Sequence, residues 1–185
     1  MAAYAGASPA PPMPLFQPIG SDTAGAALPA AAVSPVPDGA VLLAYARMLQ
    51  REALMGSRQP WLLGKNIGLF GDAGPADEVA LFRRSATELG ANVAEVRPFD
   101  GDTLTADKVR PIARLISRLY DAVEWPGAPA GLLQQIRSVA GIPVYDGLAA
   151  AAHPTARLAD LLGSEASPDD RRRFVVQAVL LATII

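Results

Sequence analysis

The sequence contains no cysteine and only one histidine, His153, among its 185 residues. Without cysteine the chain has no disulfide bond, no thiol nucleophile and no cysteine ligand for a metal, and a single histidine argues against a zinc site. We therefore predict neither a bound metal nor a cofactor. The formal net charge of −2 and the lack of a patch that combines basic and aromatic residues argue against nucleic-acid binding.

Long apolar runs are also missing. Residues 174–185 form a strongly apolar run, but it is much shorter than the roughly 20 residues that span a bilayer. The first 36 residues contain no Lys or Arg, so they lack the charged start of a secretory signal. We predict a cytoplasmic protein without a membrane anchor.

The composition changes after the first 36 residues. Residues 1–36 are rich in alanine and proline, which predicts a disordered or loosely extended tail. Residues 37–185 are long enough to bury one sizeable core. We expect them to form a single domain.

The last helix of that domain carries its own start signals. Ser167 is a good N-cap, Pro168 suits the first helical position, and Asp169 complements the positive end of the helix dipole. A strongly apolar run follows. We therefore expect a helix at 167–185 whose apolar side is covered.

Between the tail and that helix, short apolar segments alternate with segments of helical character. This order predicts a doubly wound α/β domain whose four-stranded parallel sheet is flanked by helices. Pro111 lies inside the third helical segment, where proline costs about 3 kcal/mol, so we expect that helix to start near Arg110 or to kink. The predicted strands are 66–70, 92–96, 122–125 and 143–145, and the predicted helices are 38–55, 75–89, 105–120, 129–139 and 155–162.

Several segments between residues 62 and 162 resemble, in order and spacing, the first domain of the ornithine and aspartate carbamoyltransferases. They read LLGKNIGLF, LGANVAEV, ARLISRLYDAV, AGIPVYDGL and HPTARLADLL. The helix at 167–185 resembles the one with which that family's chain returns to its first, carbamoyl-phosphate-binding domain. The resemblance implies that the family's amino-acid-binding domain, ordinarily of about 150 residues, is deleted between the two regions.

The family's phosphate-binding loop, Phe-Glu-x-x-Ser-Thr-Arg-Thr-Arg, is not preserved. In the family it opens a helix, whose free N–H groups and positive dipole end favour an anion. In register with that loop, Gly71 and Asp72 replace Phe-Glu. The five residues in place of Ser-Thr-Arg-Thr-Arg are Pro75, Ala76, Asp77, Glu78 and Val79.

Two of these replacements add negative charge. At ~4 Å, Asp77 and Glu78 would each repel a phosphate by roughly 1–4 kcal/mol. The same residues also suit an ordinary helix start, because proline fits the first helical position and early carboxylates complement the dipole. In either case the resemblance implies that no phosphate-holding side chain remains.

Two other segments that the resemblance aligns with the family's site have also changed. Pro126, in Trp-Pro-Gly, replaces the arginine of a Tyr-Arg-Gly-like segment, and proline has no hydrogen-bond donor. The loop that a neighbouring subunit inserts into the family's active site reads Asp-Gly-Asp-Thr-Leu-Thr at 100–105. It is acidic, and so it is unsuited to a phosphate.

Half of the family's His-Pro-x-Gln motif survives. His153, Pro154 and Thr155 are in register, but Ala156 replaces the glutamine. His153 can polarise a carbonyl, because a neutral imidazole donates from one nitrogen. It can equally serve an inherited structural role as a turn cap or packing residue, which we favour. We therefore assign no catalytic residue, and treat His153 and Thr155 as vestigial.

The sequence thus predicts a retained fold with a lost reaction. Because the resemblance implies a threefold trimer built by the first domain, we favour a non-catalytic protein that forms a homotrimer, or that scaffolds or regulates an active transferase or other metabolic enzyme. The alternative is a small-molecule-binding protein or a transferase of altered specificity. It would bind a cation or amine in the crevice among Asp72, Asp77, Glu78, His153 and Thr155. Residual ornithine or aspartate carbamoyl transfer is the hypothesis we favour least.

Overall fold

The computed structural model describes residues 37–71, 74–97 and 106–185. These residues lie within one compact unit, Ala31–Ile185. The predictions for the tail at 1–36, for Asp72 and for the acidic loop at 100–105 fall outside the described residues.

The predicted four-stranded parallel sheet is confirmed. Its strands are β1 (Asn66–Phe70), β2 (Asn92–Val96), β3 (Ala122–Glu124) and β4 (Val144–Tyr145), in the spatial order β2-β1-β3-β4. β1 pairs with both β2 and β3, so it is a central strand, and four of its five residues are buried. β3 and β4 are each one residue shorter than predicted.

Helices cover both faces of the sheet. Alternate residues of β1 point to opposite faces: Ile67 and Leu69 join a core formed with α1, α2 and α5, whereas Phe70 joins a second core formed with α3 and α4. This is the doubly wound arrangement that the sequence predicted. The helices are α1 (Gly39–Leu54), α2 (Ala76–Glu88), α3 (Ala106–Leu119), α4 (Ala130–Ala140) and α5 (Pro168–Ile184), with a 3₁₀ helix at Ala156–Leu162.

The predictions for four helical segments need correction. α3 begins at Ala106 and continues through Pro111, so of the two alternatives given for Pro111 the start near Arg110 is wrong. Pro75 and Pro129 are the N-caps of α2 and α4 rather than their first helical residues, because both have extended ψ angles of 136° and 129°. The predicted helix at 155–162 is a 3₁₀ helix, with Leu158 N donating to Thr155 O three residues earlier.

α5 is the most deeply buried helix among the described residues. Its predicted start is confirmed, since Ser167 is the N-cap and its Oγ accepts a hydrogen bond from Asp170 N at 3.1 Å. Every residue from 173 to 181 is buried, and the helix packs against α1 and α2. Within the described part of the chain, no helix is both long and apolar enough to cross a membrane.

Candidate functional site

The candidate site lies where the carboxyl ends of β1 and β3 meet. β2 lies on one side of β1 and β3 lies on the other. The connections that follow β1 and β3 therefore lead away from each other, which leaves a crevice between the carboxyl ends of these two strands. Open α/β sheets bind ligands in the crevice at such a point. Here the crevice is lined by the start of α2, the end of β3 and the turn after β4, including Gly74, Glu78, Glu124, Pro126 and Gly147.

The first turn of α2 holds the two carboxylates expected from the sequence, but they behave differently. Asp77 is exposed. Glu78 is partly buried, and its Oε1 accepts a hydrogen bond from Ala151 N at 3.1 Å. Glu78 therefore joins the start of α2 to the segment that follows β4.

Glu124 is the central titratable residue of the crevice. It is the last residue of β3 and its side chain is 2% exposed. Leu148 N donates to its carboxyl oxygens at 3.2 and 3.3 Å. Burial raises the pKa of Glu124 to about 8, and the nearby charges of Asp146 and Glu78 also raise it, although two backbone N–H donors oppose the shift. At neutral pH the buried form is therefore mainly the uncharged acid.

Pro126 closes the crevice from the β3 side. A Cβ atom built on Gly74 would lie 3.3 Å from Pro126 Cβ, which shows how closely the two segments approach. The next residue, Gly127, donates its backbone N–H to Asp146 Oδ1 at 3.2 Å. Pro126 is itself buried, so it fills space in the position that the resemblance gives to an arginine.

His153 makes its contacts within its own turn. Its Nδ1 lies 2.8 Å from Thr155 Oγ1 and accepts a hydrogen bond from Thr155 N at 3.3 Å. Burial lowers the pKa of His153, although the charge of Asp146 opposes this, so the neutral imidazole is favoured. Ala156 N donates to His153 O at 2.9 Å and starts the 3₁₀ helix.

The described residues leave almost no free volume in the crevice. Its cavity measures about 10 Å³, which is at the limit for one water molecule. A neighbouring cavity of about 620 Å³ lies between the start of α2 and the end of β2, with Arg83, Glu95 and Arg97 in its lining. Glu78 and Pro126 line the crevice and Ala76 lines the larger cavity, whereas Pro75, Asp77, His153, Pro154, Thr155 and Ala156 line neither.

Among the described residues, no group of three or more histidine, aspartate or glutamate side chains is placed to hold a metal ion. No protein-family profile matches the sequence.

Individual proteins do match. The catabolic ornithine carbamoyltransferase of Burkholderia mallei is 36% identical over 121 residues, which is 65% of this chain and 36% of that enzyme. The chain is a partial relative of the carbamoyltransferases. It spans little more than a third of the length of this relative.

Solved structures show the same fold. The ornithine carbamoyltransferase of Burkholderia thailandensis E264 superposes with a TM-score of 0.56 at 20% identity, over 68% of this chain and 43% of that structure. The catalytic subunit of M. jannaschii aspartate transcarbamoylase gives 0.54 at 18% identity, over 67% and 41%. At these identities the match establishes the α/β carbamoyltransferase fold alone.

Glu124 is the site residue that sequence reasoning missed. One signal was available, because a carboxylate in a short apolar strand of a parallel sheet is unusual. The burial of Glu124 depends on the turn after β4, which folds over the side chain. Neither a motif nor the spacing of residues in the sequence reveals that contact.

Proposed function

We propose that this protein is a non-catalytic, carbamoyltransferase-like assembly protein of the cytoplasm. It forms a homotrimer or acts as a scaffold or regulatory subunit for an active transferase or other metabolic enzyme. The carbamoyl phosphate site has been lost while the fold has been kept. The observation that carries this proposal is the closed, acidic crevice at the ends of β1 and β3.

The small volume of the crevice is the first support for the loss of the carbamoyl phosphate site. A cavity of about 10 Å³ does not admit a molecule the size of carbamoyl phosphate. Pro126 and Gly74 pack together there, and Glu78 ties the start of α2 to Ala151. A ligand could enter the crevice only if these contacts were broken.

Charge is the second support. Glu78, Glu124 and Asp146 place three carboxyl groups around the same point, and their mutual influence contributes to the raised pKa of Glu124. A phosphate brought there would face like charge and would force Glu124 to stay protonated. The side chains that the resemblance gives to phosphate binding in the family have no counterpart in Pro75, Ala76 or Asp77.

A direct assay tests the loss of the reaction. Purified full-length protein is incubated with carbamoyl phosphate and either ornithine or aspartate, beside an active carbamoyltransferase as positive control. We expect citrulline and carbamoyl-aspartate to stay at the level of a protein-free blank. We also expect carbamoyl phosphate to leave Tm unchanged, because a ligand raises Tm only if it binds the folded state. Product formation above the blank would overturn the proposal.

The second candidate is a small-molecule-binding protein or a transferase of altered specificity. The sequence predicted it for the crevice, but the neighbouring cavity of about 620 Å³ favours it instead, because this volume suits a small ligand. The same thermal-shift series separates the two candidates if putrescine, a simple diamine, is included. A saturable rise in Tm with putrescine would favour this second candidate over the assembly role.

A further inference from the structure

The outer face of α3 combines arginines and leucines in two parallel stripes. Arg110, Arg114 and Arg118 are spaced four residues apart, so they follow one side of the helix, and all three are exposed. Leu115 and Leu119 form a second stripe of the same spacing and are 53% and 54% exposed. No other helix among the described residues carries such a pair of stripes.

The leucines do not belong to the buried face of α3. That face consists of Val109, Ala113 and Ile116, which are each 3% exposed or less. At about 100° per residue, Leu119 lies roughly 90° from the middle of the buried face and Leu115 lies farther round. A helix that only covers a sheet typically carries polar residues at such positions.

The charge of α3 is opposite to that of the chain. The helix contains three arginines and Lys108 against one carboxylate, Asp107, whereas the whole chain has a net charge of −2. Within residues 37–71, 74–97 and 106–185, none of the three arginines forms an ion pair. Among the described residues, no carboxylate pairs with the positive charge of this stripe.

We propose that the outer face of α3 binds an acidic, amphipathic segment of a partner protein. Guanidinium groups pair with carboxylates through two parallel hydrogen bonds, and carboxylates four residues apart on a partner helix match the arginine spacing. Leu115 and Leu119 supply the apolar strip against which the partner's aliphatic side chains pack. A single-stranded nucleic acid fits less well, because the exposed face offers leucines where bases would need aromatic side chains to stack on.

This surface is separate from the crevice at the strand ends. Its use requires neither the loss of catalysis nor the trimer. The inference therefore stands or falls independently of the proposed function.

Fluorescence anisotropy with the full-length chain tests the proposal. The probe is a labelled helical peptide of about five turns, with glutamates four residues apart and leucines in the adjacent stripe. We expect saturable binding that weakens as salt is raised, because the arginines are exposed. A matched peptide with glutamine in place of every glutamate is expected not to bind.

Variants locate the binding surface. The double change R114E/R118E reverses the charge of the stripe, so we expect at least about a tenfold loss of affinity for the glutamate peptide. L115S/L119S is expected to weaken binding without changing its salt dependence. R157E alters another exposed arginine, on the 3₁₀ helix, and is the matched control that should bind like the wild type. Thermal melts verify that each variant is folded. If R114E/R118E does not fold, L115S/L119S tests the proposal by itself.

Three results would overturn the proposal. The first is no binding of the glutamate peptide by the wild type. The second is binding that both α3 variants retain. The third is that phosphatidylserine vesicles bind in its place and lose that binding in the same variants, which would make α3 a membrane-contacting surface.

Discussion

Replacing Glu124 by glutamine is expected to remove the loss of folding stability that ionisation of Glu124 causes as pH rises from about pH 5 to pH 8. Glutamine keeps a carbonyl oxygen that accepts the Leu148 N–H, so the turn after β4 keeps its hydrogen bond. It cannot ionise. The difference between the variant and the wild type therefore measures how protonation of Glu124 contributes to the free energy of unfolding.

The sign of this pH dependence follows from the direction in which folding shifts the pKa of Glu124. The pKa of Glu124 is raised from 4.5 to about 8 on folding, so the folded state binds more protons than the unfolded state within that window. Stability attributable to this group is present below the unfolded pKa and is lost as pH rises through the folded pKa. The greatest slope is about 1.4 kcal/mol per pH unit.

Urea unfolding from pH 5 to pH 9 measures this effect. We expect the E124Q variant to gain stability relative to the wild type as pH rises, with the difference levelling off above about pH 8. D160N removes an exposed carboxylate and should keep the wild-type slope. Parallel curves for E124Q and the wild type would show that Glu124 is ionised in the folded protein.

The second large effect is expected at Glu88, where E88Q should lower the free energy of unfolding by about 3 kcal/mol. Arg173 is 2% exposed, and its Nε lies 3.1 Å from Glu88 Oε2. Gln177 Nε2 also donates to Glu88 Oε2, at 3.2 Å. Removing the charge of Glu88 leaves the buried guanidinium with Asp170, at 2.6 Å, as its remaining anionic partner.

A matched surface pair provides the control for this prediction. Glu95 forms an ion pair with Arg83, but both side chains are well exposed, at 67% and 47%. E95Q should therefore change stability by less than about 1 kcal/mol. Equal effects of E88Q and E95Q in urea unfolding would show that the buried network between α2 and α5 contributes no more to stability than the exposed pair does.

The sheet and most helix ends could be predicted from local sequence. β1 and β2 are apolar segments that polar residues and glycines delimit, and both have the bounds that were predicted. α1 and α5 have polar N-caps, Asp38 and Ser167, whose side chains accept backbone hydrogen bonds in the structure. Such signals act within a few residues, so a sequence alone carries them.

The closure of the crevice could not be predicted in the same way. It depends on Pro126 approaching Gly74 and on Leu148 meeting Glu124, which are contacts between segments far apart in the chain. The sequence identified Pro126 as a replacement for an arginine but gave no sign that it fills the site. It also grouped His153 with the crevice, whereas the histidine contacts its own turn.

Native mass spectrometry of the full-length protein is the measurement that tests the assembly role most directly. A homotrimer has three times the 19.2 kDa mass of one chain, and we predict that this species dominates at micromolar concentration. Light scattering in solution provides an independent mass. A single-chain mass across the whole concentration range, with no larger species in either measurement, would contradict the homotrimer.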